Sequence, residues 1–339
     1  MAKSNSGDYP NRIYEPECTN VLLFVSIDFS ITCIGLIANA IVVLISSKYW
    51  TLSTLCQKLI AYLALADMLC SAVHFIHLFP QLWTCSFLYG YAGCMFISLV
   101  VASSSQISLS VILVIAMERF MGIVYPFSRG LNTKKAYLIT TVLSFCGILI
   151  TLPSCSKIKI VKNSIKNEDI CTNNWTGRES VIYFWIILVA SFVIPVVVLY
   201  VLYAIILKIL SKASQEQHVD QSMRHQSNQR IKSNRRVMKI LIVLLTAFVV
   251  CVLPNKIYWL LKTYGLMKGY SKNNQNIVRF LSNVFYSIHL SINPFIYAVV
   301  DSRFRNRFKS LVCGKNRRWC RKKLIKNVGT RSWNESFEP

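Results

Sequence analysis

The chain has 339 residues, of which 54% are apolar and only 15% charged, and it carries a net charge of +24. A soluble chain of this size would carry about 25% charged residues, so a soluble catalytic or binding domain is excluded from the start. The positive charge suggests nucleic acid as a partner, but its placement along the chain, described below, excludes that partner too.

Residues 1–21 form a polar leading tail, with Asp8, Pro10, Glu15 and Pro16. It has no basic start followed by an apolar run, so no cleaved signal peptide is expected and the first span acts as its own insertion signal. Seven apolar blocks follow, at 22–47, 59–82, 87–117, 136–154, 180–209, 239–261 and 280–300. About 20 residues cross a ~30 Å hydrocarbon core as a helix. Helix is forced there because lipid leaves backbone groups unsatisfied, and these unbroken runs lack the alternation of a membrane barrel. The expected fold is an all-α membrane bundle of seven transmembrane helices over residues 22–300. A short amphipathic surface helix at 301–312 and a tail at 313–339 complete it.

Seven spans place the two termini on opposite sides. With the leading tail outside, the inner segments hold 26 of the 38 Lys and Arg. That is the positive-inside bias, and it makes the basic tail (Arg317, Arg318, Arg321, Lys322, Lys323) a segment facing anionic lipid rather than nucleic acid.

The first span carries Asn39. The second carries Asp67 within Leu63-Ala64-Leu65-Ala66-Asp67, then His74 and His77 on one face. No acid or Cys shares that face, so the two His are expected to pack or line a pocket and not to hold metal. The third span carries Ser108 and ends in Glu118-Arg119-Phe120, followed by Ile123, Tyr125 and Pro126. Pro195, Pro254 and Pro294 interrupt the fifth, sixth and seventh spans, each removing a backbone hydrogen bond. Three interrupted helices around a polar centre describe a bundle with more than one packing. His289 and Asn293 lie in the seventh span. Buried ionisable and polar groups in lipid mark function; Asp67, Ser108, Asn293 and Asn39 suit either a small cation with oxygen ligands or a water network. The segment 211–234, rich in Gln, Ser and Asn, is too polar to form a core. Phe304 and Phe308 share one face of the 301–312 segment with Arg residues opposite, the pattern of a surface helix. Cys313 and Cys320 follow it as candidates for acylation.

These residues, in this order and on these spans, resemble the rhodopsin-like family of G-protein-coupled receptors. The likeness rests on Asn39, the Asp67 motif, Cys94, Glu118-Arg119-Phe120, Pro195 with Tyr203, Phe248 with Cys251 and Pro254, and Asn293-Pro294-Phe295-Ile296-Tyr297 followed by Phe304. Cys94 stands 25 residues before Arg119, as the family requires. The resemblance implies a receptor and not an enzyme, multi-pass in the plasma membrane, that binds an extracellular ligand and activates a heterotrimeric G protein, with arrestin and a receptor kinase as further partners. It implies that Arg119 meets the G protein, that Tyr203 and Tyr297 close around it, and that sodium is the cation at Asp67; no other cofactor is expected. It also implies a Cys94–Cys171 disulfide, with Cys155 as the rival partner. Asn174-Trp175-Thr176 is then the outer glycosylation acceptor. The chain departs from the family in the sixth span, where Val252 replaces the usual Trp, and in the seventh, where His289 replaces a common Asn. It departs again at Asn234, which replaces an acid that locks Arg119 in some members.

The ligand is narrowed by what is missing. Val101 occupies the place of the Asp that holds amine ligands, and Ser287 the place of the retinal lysine of opsins. The chain most resembles the neuropeptide-binding branch, with a small anionic or lipid ligand as the alternative; a transporter or channel lacks the repeated halves it would need. Ligand contacts are expected from Val101, Gln106, Asn255, Lys256, Trp259, Arg279 and His77. Lys256 lies 17 residues beyond Lys239, or ~26 Å along the helix. It either receives an anionic group of the ligand together with Arg279 or snorkels to outer water.

Overall fold

The computed structural model describes residues 18–84, 86–125, 130–163, 168–173, 177–215 and 221–312. Pro126, Asn174, Cys313 and Cys320 lie outside these residues. Seven long helices form the bundle. They are α1 (Cys18–Lys48), α2 (Leu55–Leu78), α3 (Gly90–Val124), α4 (Thr133–Cys155), α5, α6 (Gln221–Thr263) and α7 (Lys272–Val300). α5 is composite: Arg178–Leu188, one π-helical turn at Val189–Val193, then Ile194–Gln215. An eighth helix, α8 (Ser302–Val312), follows α7. Six of the seven long helices are long and apolar enough by themselves to cross a membrane. α7 is the seventh; its Asn, Ser, Arg and His content dilutes its hydropathy.

The boundaries refine the sequence expectation. α2 stops at Leu78 and its tail becomes a one-turn helix, Gln81–Thr84, because Pro80 cannot continue the hydrogen-bond ladder. α3 runs beyond Met117 to Val124, so Glu118-Arg119-Phe120 is helical and not a loop edge. α6 begins 18 residues before Lys239, taking up part of the polar 211–234 segment. The π turn of α5 lies just before Pro195, whose missing N–H leaves the carbonyl of Ser191 without its usual helical donor; widening of the turn there is a recurrent solution.

α3 is the central helix: 61% of its apolar window is buried, against 17% in α5, which is mostly lipid-facing. It packs on α2, α4, α5 and α6, while α1 packs between α2 and α7. The main core gathers Leu59, Leu63, Ile112, Ile115, Leu241 and Leu244 among others. Outward faces carry Ile37, Leu69, Leu138, Phe145, Val201 and Val250, all exposed large apolar side chains, as expected for contact with hydrocarbon chains. Gly35 is required where α1 crosses α7, since a Cβ there would meet Ser291 Oγ at 2.1 Å.

Two strands, β1 (Ile158–Asn163) and β2 (Glu168–Asn173), pair antiparallel between α4 and α5, with Ile160 opposite Cys171. The hairpin is fastened to the top of α3 by the Cys94–Cys171 disulfide, Cα–Cα 5.8 Å. Phe87 N–H also donates to the Asp169 carbonyl at 2.8 Å. Closing a loop of 77 residues contributes about 4–5 kcal/mol by chain-entropy reasoning. Cys155, the rival, is a free thiol at the end of α4.

Candidate functional site

At the inner end of α3, the Arg119 guanidinium pairs with the carboxylate of its own neighbour Glu118, and both side chains are largely buried. Tyr203 of α5 and Tyr297 of α7 are each 2% exposed, and neither hydroxyl has a hydrogen-bond partner among the described residues. A buried hydroxyl without a partner is costly, so both are poised to accept a new one. α8 is held against α7 by Phe304, whose ring lies 6.3 Å from that of Tyr297. Arg236 of α6 donates to Ser302 at 3.0 Å.

Mid-bundle, Asp67 is 1% exposed. Ser108 Oγ donates to its Oδ1 at 3.1 Å and Asn293 Nδ2 to its Oδ2 at 2.7 Å, which ties α2 to α3 and α7. No basic side chain pairs with it among the described residues. Asn39 has a different task. Pro294 has no N–H, which frees the Leu290 carbonyl of its helical donor, and Asn39 Nδ2 donates to that carbonyl at 2.8 Å. Asn39 thus stitches α1 to the proline break in α7 and is not hydrogen-bonded to Asp67.

Above Asp67, where the family's Trp is missing, Val252 is fully buried and aromatic rings bridge the helices. Phe192 of α5 meets Phe248 of α6 at 6.3 Å, Phe248 meets His289 of α7 at 6.0 Å, and His289 meets Tyr286 at 4.6 Å. Tyr286 in turn donates its hydroxyl to the Val101 carbonyl of α3 at 2.7 Å. This chain of rings joins α5, α6, α7 and α3. Sequence reading missed it; the substitution of His289 for Asn was its only signal.

The outer half holds Lys256, Trp259 and Arg279. Lys256 is half-buried, within electrostatic reach of His289, and takes part in no ion pair or hydrogen bond among the described residues. Arg279 acts on Tyr258 and Lys262 of α6, and Lys262 lies over the Trp259 ring at 4.6 Å. α6 and α7 contain no acid, so neither helix supplies a carboxylate to these cations. Gln106 is buried, with its Cβ against Gly147 of α4, where an added Cβ would approach it at 2.7 Å.

The two histidines of α2 require a correction. The sequence showed no acid on their face, but a neighbouring helix supplies one. Asp28 of α1, a buried acid in the first span that sequence reading passed over, places Oδ2 3.7 Å from His74 Nε2. His77 stacks on His74, with ring centroids 6.1 Å apart, and Gln81 Nε2 lies 3.1 Å from the His77 ring. The residue pattern of one helix cannot reveal a partner on another.

The sequence matches the seven-transmembrane receptor (rhodopsin family) description over residues 38–297, and the chain belongs to that family. It is therefore a receptor and not an enzyme. The mouse substance-K receptor is 24% identical over 288 residues, covering 83% of this chain and 72% of its own length. Mouse neuromedin-U receptor 2 is 24% identical over 333 residues, with 94% and 82% covered. Rat neuropeptide Y receptor type 4 is 21% identical over 312 residues, with 87% and 80% covered. The crystal structure of squid rhodopsin superposes with a TM-score of 0.76 at 15% identity, covering 98% of this chain and 96% of its own. That last likeness is one of fold.

Proposed function

We propose that this receptor binds an extracellular neuropeptide-like ligand bearing an anionic group, and passes the signal to a heterotrimeric G protein. The observation that carries the ligand chemistry is Lys256, a cation inside the outer half of the bundle with no partner of its own among the described residues. Similarity to receptors named for substance K, neuromedin U and neuropeptide Y supports a peptide. An acidic side chain or a free carboxyl terminus meets the same requirement. Screening peptides for accelerated nucleotide exchange tests the reading, with fatty-acid-like carboxylates as the second arm; a response confined to the carboxylates would replace the peptide by a lipid ligand.

On the inner side, Tyr203 and Tyr297 close on Arg119 once Glu118 releases it, and the G protein enters beside them. Arrestin and a receptor kinase then act on the same face and the tail, and Cys313 and Cys320 are acylated. Asp67 holds a sodium ion with Ser108 and Asn293: a buried carboxylate without a basic neighbour suits a hard cation with oxygen ligands. In the Asp67→Asn variant, agonist affinity should no longer depend on sodium concentration. A dependence equal to that of the unaltered receptor would leave Asp67 to a water network.

The chain lies in the plasma membrane with its leading tail outside. Asn174→Gln should then abolish N-glycosylation, read as a single mobility shift identical to that given by glycosidase. Sugar on Asn334, the other acceptor pattern, would invert the topology.

A further inference from the structure

We propose that Asp28 and His74 together form a proton-binding site that clamps the outer parts of α1 and α2, so that receptor activity responds to external acidity. Both side chains are nearly nine-tenths buried, with relative exposures of 11% and 12%. The environment of the imidazole carries the argument. Thr32 Oγ1 gives its proton to the Asp28 carbonyl at 2.9 Å, so it turns a lone pair toward His74 Nδ1 at 3.4 Å. The other ring nitrogen faces the Asp28 carboxylate. A neutral imidazole has one N–H and one bare nitrogen, so between two acceptors one contact is necessarily lone pair against lone pair. One additional proton satisfies both contacts. At 3.7 Å the Asp28–His74 contact is longer than a hydrogen bond, and Asp28 Oδ1 has no partner among the described residues. A proton shared by Oδ2 and Nε2 lets the two helices close.

The surroundings support a proton as the occupant. Ser287 of α7 lies beside Asp28, and His77 stacks on His74 but is engaged by Gln81. The other titratable groups on these elements include Cys33 on α1, Cys70 and Asp67 on α2, Tyr286, His289 and Arg279 on α7, and Tyr89 before α3, with Lys48, Cys56, Lys58, Tyr62 and Tyr297 toward the inner ends of the same helices. Only Asp28 forms an ion pair with His74 among the described residues. Among the described residues no group of three His, Cys, Asp or Glu is arranged for a metal ion. The site also reaches the signalling helix: three residues below Asp28, the Ile31 carbonyl accepts from Ser291 Oγ of α7 at 3.1 Å. Closing α1 on α2 therefore pulls on the helix that carries Asn293, Pro294 and Tyr297.

Full-length receptor in intact cells, with cytosolic pH held constant, is read for basal G-protein activation while external pH is stepped across about pH 5 to 8, the range of histidine titration. Activation should change roughly tenfold to a hundredfold, the effect of gaining one charge-assisted hydrogen bond. Asp28→Asn and His74→Gln should each flatten the profile at normal surface expression. Infrared difference spectra of the purified receptor provide a readout that a purely structural role would not move. Bands of an imidazolium ring should appear on acidification and be missing in His74→Gln, with a shift of a carboxylate band that is missing in Asp28→Asn. This arm needs no G protein, so it stands apart from the coupling assignment. Identical profiles and spectra in the unaltered receptor and both variants would overturn the proposal. So would a response that requires added zinc and vanishes with chelator, which would make the site a metal site.

Discussion

Arg119→Ala is expected to lower agonist-stimulated nucleotide exchange by about a hundredfold or more while leaving surface expression and agonist affinity nearly unchanged. The side chain stands at the inner end of α3, where Glu118 of its own helix is its one ion-pair or hydrogen-bond partner among the described residues, so removing it breaks no such tie between helices. Its guanidinium offers five donors in a fixed fork, and loss of two charge-assisted hydrogen bonds to a partner accounts for an effect of this order. Tyr203 and Tyr297 supply the rest of the argument. Two buried hydroxyls without hydrogen-bond partners among the described residues, on α5 and α7, flank the helix end from which Arg119 would swing. Exchange that proceeds normally in the variant would reduce Arg119 to an interfacial anchor.

Lys256→Met should weaken agonist affinity about tenfold to a hundredfold, the equivalent of roughly 1.5–3 kcal/mol for a partly desolvated, charge-assisted contact. Methionine keeps the length and apolar stem of lysine and removes only the charge, so packing in α6 is retained. Lys262→Met is the companion control. Its ammonium already rests on the Trp259 ring, and affinity should change by less than about threefold, as for a screened surface cation. Affinity in Lys256→Met that matches this control would show that Lys256 extends to outer water and meets no ligand.

Much of the fold was legible because lipid permits so few solutions: a block of about 20 apolar residues is a helix, and loop charge sets its direction. The inner site was legible for a related reason. Glu118-Arg119-Phe120, Asp67 and Asn293-Pro294 are local strings whose order along the chain carries the information. What escaped was tertiary. Asp28 looked like one polar residue in an apolar run, and only the crossing of α1 and α2 gives it His74. Pro294 frees a carbonyl on α7 that takes the Asn39 amide as its donor, a contact that the strings around Asn39 and Pro294 do not show separately. The close fit of Gln106 Cβ on the small Gly147 of α4 is likewise a contact between helices. The aromatic bridge from Phe192 to Tyr286 assembles from turns of three separate helices, and no window of sequence contains it.

The central claim is that this bundle converts ligand binding outside into G-protein activation inside through Arg119. The most direct measurement uses purified receptor in lipid nanodiscs with heterotrimeric G proteins, and records nucleotide exchange against a peptide panel for the unaltered chain and for Arg119→Ala. The account predicts that at least one peptide accelerates exchange by the unaltered receptor and that the same peptide, bound with similar affinity, leaves the variant silent. Equal acceleration by both proteins would contradict it.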